Sequence, residues 1–239
     1  MISHDGPART RPTREGAPLT TIVTGADGYV GANLVRELVA RGRSVRALIG
    51  GADPPDWGVE VPWQRIDVRE PDSLERAFDG AESVFHLAAV ISITGDQGGL
   101  VPAVNVDGVG HVAEAALRAG VGRFVHFSSV HAFDLMKPGG AIDEGSDRPP
   151  TGHPSYDRSK AAGEARLREV IAQGLDAVVL NPTGIFGPVD PAPSRIGQLF
   201  RDVVRRRVPA VPTGGFNWID VRDLIDTALR AEERGQRGT

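Results

Sequence analysis

The chain has 239 residues, enough for one large α/β domain or two small ones with an ample buried core. Its 27 basic and 31 acidic residues leave a formal net charge of -4, which offers no cationic field for nucleic acid or an anionic bilayer. The absence of cysteine excludes disulfides, thiolate metal ligands and a cysteine nucleophile, so any chemistry rests on oxygen and nitrogen groups.

No apolar run approaches the roughly 18 residues that span a bilayer. Residues 1–18 lack the hydrophobic core of a signal peptide, and the chain reads as soluble and cytoplasmic. Those first residues hold three prolines, three arginines and almost no aliphatic side chains, which predicts a disordered tail. From Leu19 short apolar runs predict strands at 19–24, 44–49, 63–66, 83–87, 123–128 and 177–180. Helical spacing falls between them at 29–41, 71–78, 104–119 and 155–173, with Gly42, Gly80, Gly120 and Gly174 at C-terminal positions. Proline and glycine mark loops over 131–153, 187–195 and 207–217, with a short helix over 201–207 and another closing the chain. Regular β-α alternation predicts the α/β class: a doubly wound parallel sheet with helices on both faces. Residues 19–180 form its core, and 181–239 form a small, partial lobe with a C-terminal helix.

The first strand runs into Thr24, Gly25, Ala26, Asp27, Gly28, Tyr29, Val30 and Gly31 and then a helix. In that place Gly25 can make a tight turn, Gly28 admits a pyrophosphate to the backbone, and Gly31 allows close helix packing. The helix start adds N–H donors and positive dipole. The spacing is G-x-x-G-x-x-G, and no G-x-x-x-x-G-K-[ST] run points to a nucleoside triphosphatase. A glycine-rich turn without a ligand is the plainer alternative.

The chain has two tyrosines, and its two lysines are Lys137 and Lys160. Tyr156 and Lys160 stand four apart, on one face of a helix, where an ammonium near the phenol would lower its pKa from about 10. Ser129, ending the preceding strand, is placed to hydrogen-bond a reacting oxygen at the sheet's carboxyl edge. The alternative is an exposed helical pair and a serine that merely ends a strand.

These residues resemble the extended short-chain dehydrogenase/reductase superfamily, the branch of NAD-dependent epimerase/dehydratases and dihydroflavonol-reductase-like proteins. The landmarks run from Leu19 to about Leu229 and include the glycine turn, Asp67-Val68, His86-Leu87-Ala88-Ala89, Asn105-Val106 with Gly108, Ser128-Ser129, Tyr156-x-x-x-Lys160, Asn181-Pro182 and the run from Trp218 to Asp223. The resemblance implies a Rossmann fold and a nicotinamide dinucleotide cofactor. It implies Tyr156 as catalytic acid/base, Lys160 as the group that binds the nicotinamide ribose and tunes Tyr156, Ser129 as the group orienting the substrate oxygen, and Asn105 as support. Cofactor contacts would come from Gly25, Asp27, Gly28, Tyr29, Val30 and Gly31, from Asp67 and Val68 flanking the adenine, from Leu87, Ala88 and Ala89, and from Pro182 and Thr183 at the nicotinamide end. A homodimer through the 104–119 and 155–173 helices is also implied.

Two departures stand out. Where an acidic residue or an arginine would choose between NAD and NADP, the chain has Gly50 and Gly51, and Arg46 lies earlier on the strand, as readily solvent-facing as functional. With no carboxylate there to repel an extra phosphate, the reading is NAD(P) with a lean to NADP. Related chains also continue past the Asp220–Asp223 segment, where this one ends at Thr239.

Nucleotide-sugar dehydratases of this superfamily have an Asp-Glu pair beside the active-site hydroxyl, whereas Val130 and His131 follow Ser129 here, which disfavours dehydration. His131 reads as a packed or exposed loop residue. Arg201, Arg205, Arg206 and Arg207 read as a solvated face, Arg222 and Asp223 as ligand contacts or the opening of the last helix, and His86, His126, Phe127 and Phe133 as packing groups. The leading reading is an NAD(P)-dependent oxidoreductase acting on a carbonyl/alcohol pair. A nucleotide-sugar epimerase using the same groups and a nonenzymatic dinucleotide sensor are its rivals.

Overall fold

Helices separate most of the six short strands, and all strands but the edge strand β3 carry apolar side chains on both faces and so are covered on both. The computed structural model describes residues 20–137, 141–190, 194–210 and 214–239. The predicted tail and the start of the first strand at Leu19 lie outside these. The strands are β1 (Thr20–Thr24), β2 (Ser44–Ile49), β3 (Trp63–Arg65), β4 (Ala81–His86), β5 (Arg123–Phe127) and β6 (Ala177–Leu180). They form one parallel sheet in the order β3-β2-β1-β4-β5-β6. The order reverses between β1 and β4, which opens a crevice at the carboxyl ends of those two strands.

Alternation along the strands builds two cores. Ile22, Leu48, Val84 and Phe124 face the helices α2 (Pro71–Ala77), α4 (Gly108–Arg118) and α5 (Ser155–Gln173). Val23, Ile49, Phe85 and Val125 face α1 (Tyr29–Ala40) and α7 (Val221–Arg234). Each large side chain so buried contributes about 2 kcal/mol. The glycines after the helices adopt positive φ, +73° at Gly42 and +128° at Gly174, as helix termination requires.

The 104–119 helix starts earlier than its spacing predicts. It opens with α3 (Leu100–Pro102) and passes through a π-turn, Ala103–Asp107, into α4. Pro102 and Gly99 conceal that start in the sequence, because both residues signal a break and here serve the first turn. The predicted 201–207 helix is α6, Arg195–Val204, so Arg205 to Arg207 follow it. Two three-residue strands, β7 (Gly184–Phe186) and β8 (Trp218–Asp220), pair in parallel as a separate sheet beside α6. After β8 the chain returns, and α7 buries Val221, Leu224, Ile225, Ala228 and Leu229 against the main sheet. The outer edge of β6 accepts the end of the chain, where Gly238 N–H donates to Ala177 O and Val179 N–H to Thr239 O.

Candidate active site

The turn after β1 is shaped by close approach. Gly25 has φ +66°, and a Cβ there would meet Ala88 N at 2.7 Å. A Cβ on Gly31 would run into the Gly25 carbonyl oxygen, so α1 seats directly on the turn. Gly28 caps α1 without a side-chain hydrogen bond, and no acidic residue occupies the helix's first turn. The amides of Tyr29 and Val30 thus open a helix whose N-terminal charge is uncompensated, a place suited to an anion. Thr24 ties the neighbouring strand end in place: its Oγ1 accepts from the Leu87 and Ala88 amides and lies 2.7 Å from His86 Nδ1. Beneath the turn, Trp57 Nε1 donates to Ala26 O at 2.9 Å.

A cleft of about 610 Å³ opens over this turn. Gly25, Asp27 and Gly28 form one wall, Asp67 and Val68 another, and Leu87, Ala88 and Ala89 a third. Of the sequence-predicted cofactor residues, Tyr29, Val30 and Gly31 lie behind the turn, and Pro182 and Thr183 lie beyond β6, where Pro182 O accepts from Val130 N–H. Asp27 accepts from Gly51 N–H at 2.8 Å. Asp67 is gripped by the Arg69 guanidinium and amide, which hold its carboxyl below the usual range. Arg46 is partly exposed and does not line the cleft: it donates to Ala77 O and Asp79 O at the C-terminal end of α2. A second groove, about 600 Å³, lies apart between Pro54 and Trp63 and offers Glu60 as its one ionisable side chain.

Ser129, Tyr156 and Lys160 come together at the carboxyl end of β5. The Ser129 hydroxyl lies near the Tyr156 phenol and favours its ionised form. Lys160, 5% exposed, donates from Nζ to Phe127 O at 3.2 Å. Burial lowers its pKa to about 8, against the pull of Glu164. The phenol does not behave as its spacing to Lys160 predicts. Its pKa is raised, chiefly by burial and further by Asp157, while the Ser129 hydroxyl opposes the shift. The physical reason is that desolvation outweighs the neighbours, with the ammonium directed at the Phe127 carbonyl.

Asn105 sits in the π-turn, a geometry frequent at functional sites. Its amide clasps Val90 at both N–H and C=O and donates to Ser159 Oγ, which donates in turn to Tyr156 O. It therefore braces both the cleft wall and the helix turn that carries Tyr156. Gly163 makes this possible, since a Cβ there would strike the Asn105 carbonyl.

Sequence reasoning missed two groups. Glu164, 1% exposed, accepts from Ser128 Oγ and Asn181 Nδ2 at 2.6 Å each and pairs with Arg148 and Arg168. It lashes the ends of β5 and β6 to α5. The signal was present, for Glu164 lies one helical turn beyond Lys160 on the inward face. His131, which the sequence places among packed or exposed loop residues, has its Nδ1 3.0 Å from the buried Asp157 carboxylate. His86 and His126 do pack: they stack at 5.3 Å, both almost fully buried, and burial lowers the pKa of each. Arg222 and Asp220 open α7, the latter as its N-cap.

The sequence profile of the NAD dependent epimerase/dehydratase family matches residues 21–239. The chain is 37% identical over 223 residues to sterol demethylase protein B of Methylococcus capsulatus, covering 92% of this chain and 68% of that protein. It is 35% identical over 217 residues to a putative dihydroflavonol 4-reductase of Synechocystis, covering 90% of this chain and 63% of that protein. It thus spans about two thirds of the length of these relatives. The UDP-glucose 4-epimerase of Thermus thermophilus, solved in complex with NAD, superposes with a TM-score of 0.76 at 26% identity, over 90% of this chain and 74% of that one. Among the described residues, no helix is long and apolar enough to cross a membrane.

Proposed function

The chain belongs to the NAD dependent epimerase/dehydratase family, and from that premise we propose that it is an NAD(P)-dependent oxidoreductase of a carbonyl/alcohol pair, with Tyr156 as general acid/base. The observation that carries this reading is the approach of the Ser129 hydroxyl to the Tyr156 phenol at the carboxyl end of β5, with Lys160 buried one helical turn along α5 and a cleft open over the glycine turn. The glycine turn fits a dinucleotide: Gly25 and Gly31 permit a backbone that any Cβ would block, and the first amides of α1 leave donors for a diphosphate. When bound, the nicotinamide supplies or accepts hydride.

The chain's own groups do the rest. Ser129 and Tyr156 hold the substrate oxygen, and Tyr156 delivers or removes its proton. Lys160 binds the ribose and places a positive charge beneath the phenol. That charge favours phenolate once a ligand draws the ammonium away from Phe127 O. NADP is the proposed form, because Gly50 presents no carboxylate to a 2′-phosphate and Arg65 lines the cleft with it.

An apolar body on the substrate fits better than a sugar nucleotide. Ile91, Ile93 and Met136 are 64%, 80% and 73% exposed on the loops after β4 and β5, and Phe200 and Trp218 stand half-exposed in the lobe. The names of the two relatives, a sterol demethylation protein and a dihydroflavonol reductase, point the same way. A homodimer through α4 and α5 is proposed on the family resemblance, and a monomer by light scattering would remove it.

The test is titration with NADH and NADPH followed by a panel of ketones, repeated with Tyr156→Phe. Turnover is expected to fall at least ~100-fold in the variant with cofactor affinity retained. Unchanged turnover would remove Tyr156 from the mechanism, and tight cofactor binding without any turnover would favour the sensor reading.

A further inference from the structure

Lys160 and Ser129 share a neighbour to which the proposed reaction gives no task. Glu164 lies one turn beyond Lys160 on α5 and is 1% exposed. Its Oε1 accepts from Ser128 Oγ and Asn181 Nδ2, and the same Asn181 nitrogen donates to Ser129 O. The carboxylate thus holds the segment after β5 twice, by the side chain of one serine and, through Asn181, by the carbonyl of the next. Its Oε2 pairs with Arg148 at 2.8 Å and with Arg168 at 3.0 Å. Arg148 in turn donates to Ala132 O and lies over the Phe133 ring, 4.4 Å from its centroid. The 3-10 turn Val130–Ala132, which Ser129 caps, is therefore pinned to α5 through the same carboxylate.

Four partners offset the burial of this charge, yet its field extends further. Around Lys160, β4 and β5 present His86 and His126, both kept neutral by burial, and Phe127 O takes the hydrogen bond from Nζ. On α5 stand Tyr156, Asp157, which is occupied by His131, and Glu164. Arg148 and Arg168 meet Glu164 but are 35% and 46% exposed, so water screens them. Glu164 and Lys160 are both buried and interact through an interior that screens poorly. Burial draws the Lys160 pKa down to about 8, and Glu164 opposes that shift.

We propose that Glu164 is a positioning residue of the reaction: its carboxylate sets Ser129 at the substrate oxygen through Ser128 and Asn181, and it supplies the negative charge that balances the Lys160 ammonium. The proposal rests on the oxidoreductase reading of this site and deepens it, since Glu164 acts only through Ser129 and Lys160. A carboxamide of the same shape would keep one acceptor, lose the charge and turn an NH2 group toward two guanidinium groups.

The chain has two lysines, which makes the charge directly visible. The full chain with ¹³Cε-labelled lysine is titrated by NMR without cofactor. Lys137, exposed and paired with Asp147, should titrate above the ordinary lysine range, and Lys160 near pH 8. Glu164→Gln should move the Lys160 titration to lower pH and leave that of Lys137 in place. Arg148→Met keeps the carboxylate and removes a cation from it, so the Lys160 titration should not move down. A downward move in both variants is the mark of loosened packing and overturns the proposal, as does no move in Glu164→Gln.

NADPH-dependent reduction of the ketone panel is followed against pH in parallel. Glu164→Gln should lower kcat roughly tenfold near neutral pH and move the alkaline limb of its pH profile to lower pH. If that variant does not fold by thermal unfolding, Ser128→Ala tests the same tie with the charge kept: kcat should fall severalfold with the alkaline limb in place. A variant that matches the wild type in kcat and pH profile overturns this inference alone. A wild type that reduces no ketone and binds neither cofactor sinks the oxidoreductase reading, and this inference with it.

Discussion

The turn after β1 and the lobe of β7, α6 and β8 border the same carboxyl edge of the molecule, yet they are assembled on different principles. The turn is specified by missing side chains: Gly25 and Gly31 bring backbone against backbone with no space left over. The lobe is specified by surplus side chains. α6 buries no residue completely, and Phe186, Phe200, Phe216 and Trp218 touch one another while each stays at least 37% exposed. A turn without slack tolerates one backbone path, which suits a ligand part that is the same in every reaction. An apolar surface with loose packing can adapt, which suits the part of a substrate that differs between relatives.

Substitutions at the two places should therefore differ sharply. The largest effect is expected from Gly31→Ala, whose methyl group meets the Gly25 carbonyl: about 3 kcal/mol of stability by denaturant titration, with NADPH binding lost. Binding at wild-type affinity would show that the turn has the slack denied to it here. Gly163→Ala extends the same logic to α5, where the methyl group meets the Asn105 carbonyl. A loss of about 2 kcal/mol and a kcat lower by roughly tenfold are expected, because Tyr156 and Lys160 ride on that helix.

Lys160→Met should act in the opposite direction, stabilising the apo protein by about 1–2 kcal/mol near neutral pH while abolishing turnover. The sign follows from the folded pKa of about 8 lying below the ordinary 10.5: the unfolded chain holds the proton more tightly. The cost of burying the ammonium is fully present below pH 8 and fades as pH rises toward 10.5. Thermal unfolding of the two proteins at about pH 7 and about pH 9.5 should show the gap closing, and a constant gap would contradict the burial argument. The smallest effect belongs to the lobe. Phe200→Ser, at a half-exposed side chain, should cost less than about 1 kcal/mol and leave NADPH affinity intact while raising KM for apolar ketones.

Much of the sheet was legible because most of its strands are apolar on both faces and the helices between them are followed by Gly42, Gly80, Gly120 and Gly174, all at positive φ. β2 and β6 match their predicted bounds, β1 matches at its end, β3 and β5 end one residue early, and β4 starts two residues and ends one residue early, while Leu19 lies outside the described residues. The lobe was not legible, since three residues are too few to show a period of two in β7 or β8. The start of the helix before α4 was hidden by Pro102 and by a π-turn, which breaks the 3.6-residue rhythm. In the candidate site, Ser129, Tyr156 and Lys160 were singled out by spacing and by the place of Ser129 at a strand end. Spacing could not reveal that burial dominates the phenol's proton affinity, nor that Asp157 turns inward to meet a histidine 26 positions earlier. Those depend on how α5 rolls against the β5 end, a tertiary fact.

The indole of Trp57 gives the molecule a built-in optical gauge. It is 4% exposed and bonded to Ala26, next to two residues that wall the cleft, whereas Trp63 and Trp218 are 45% and 40% exposed. Its fluorescence should lie to the blue of theirs, so occupancy of the turn can be followed by selecting the short-wavelength band, without label or substrate.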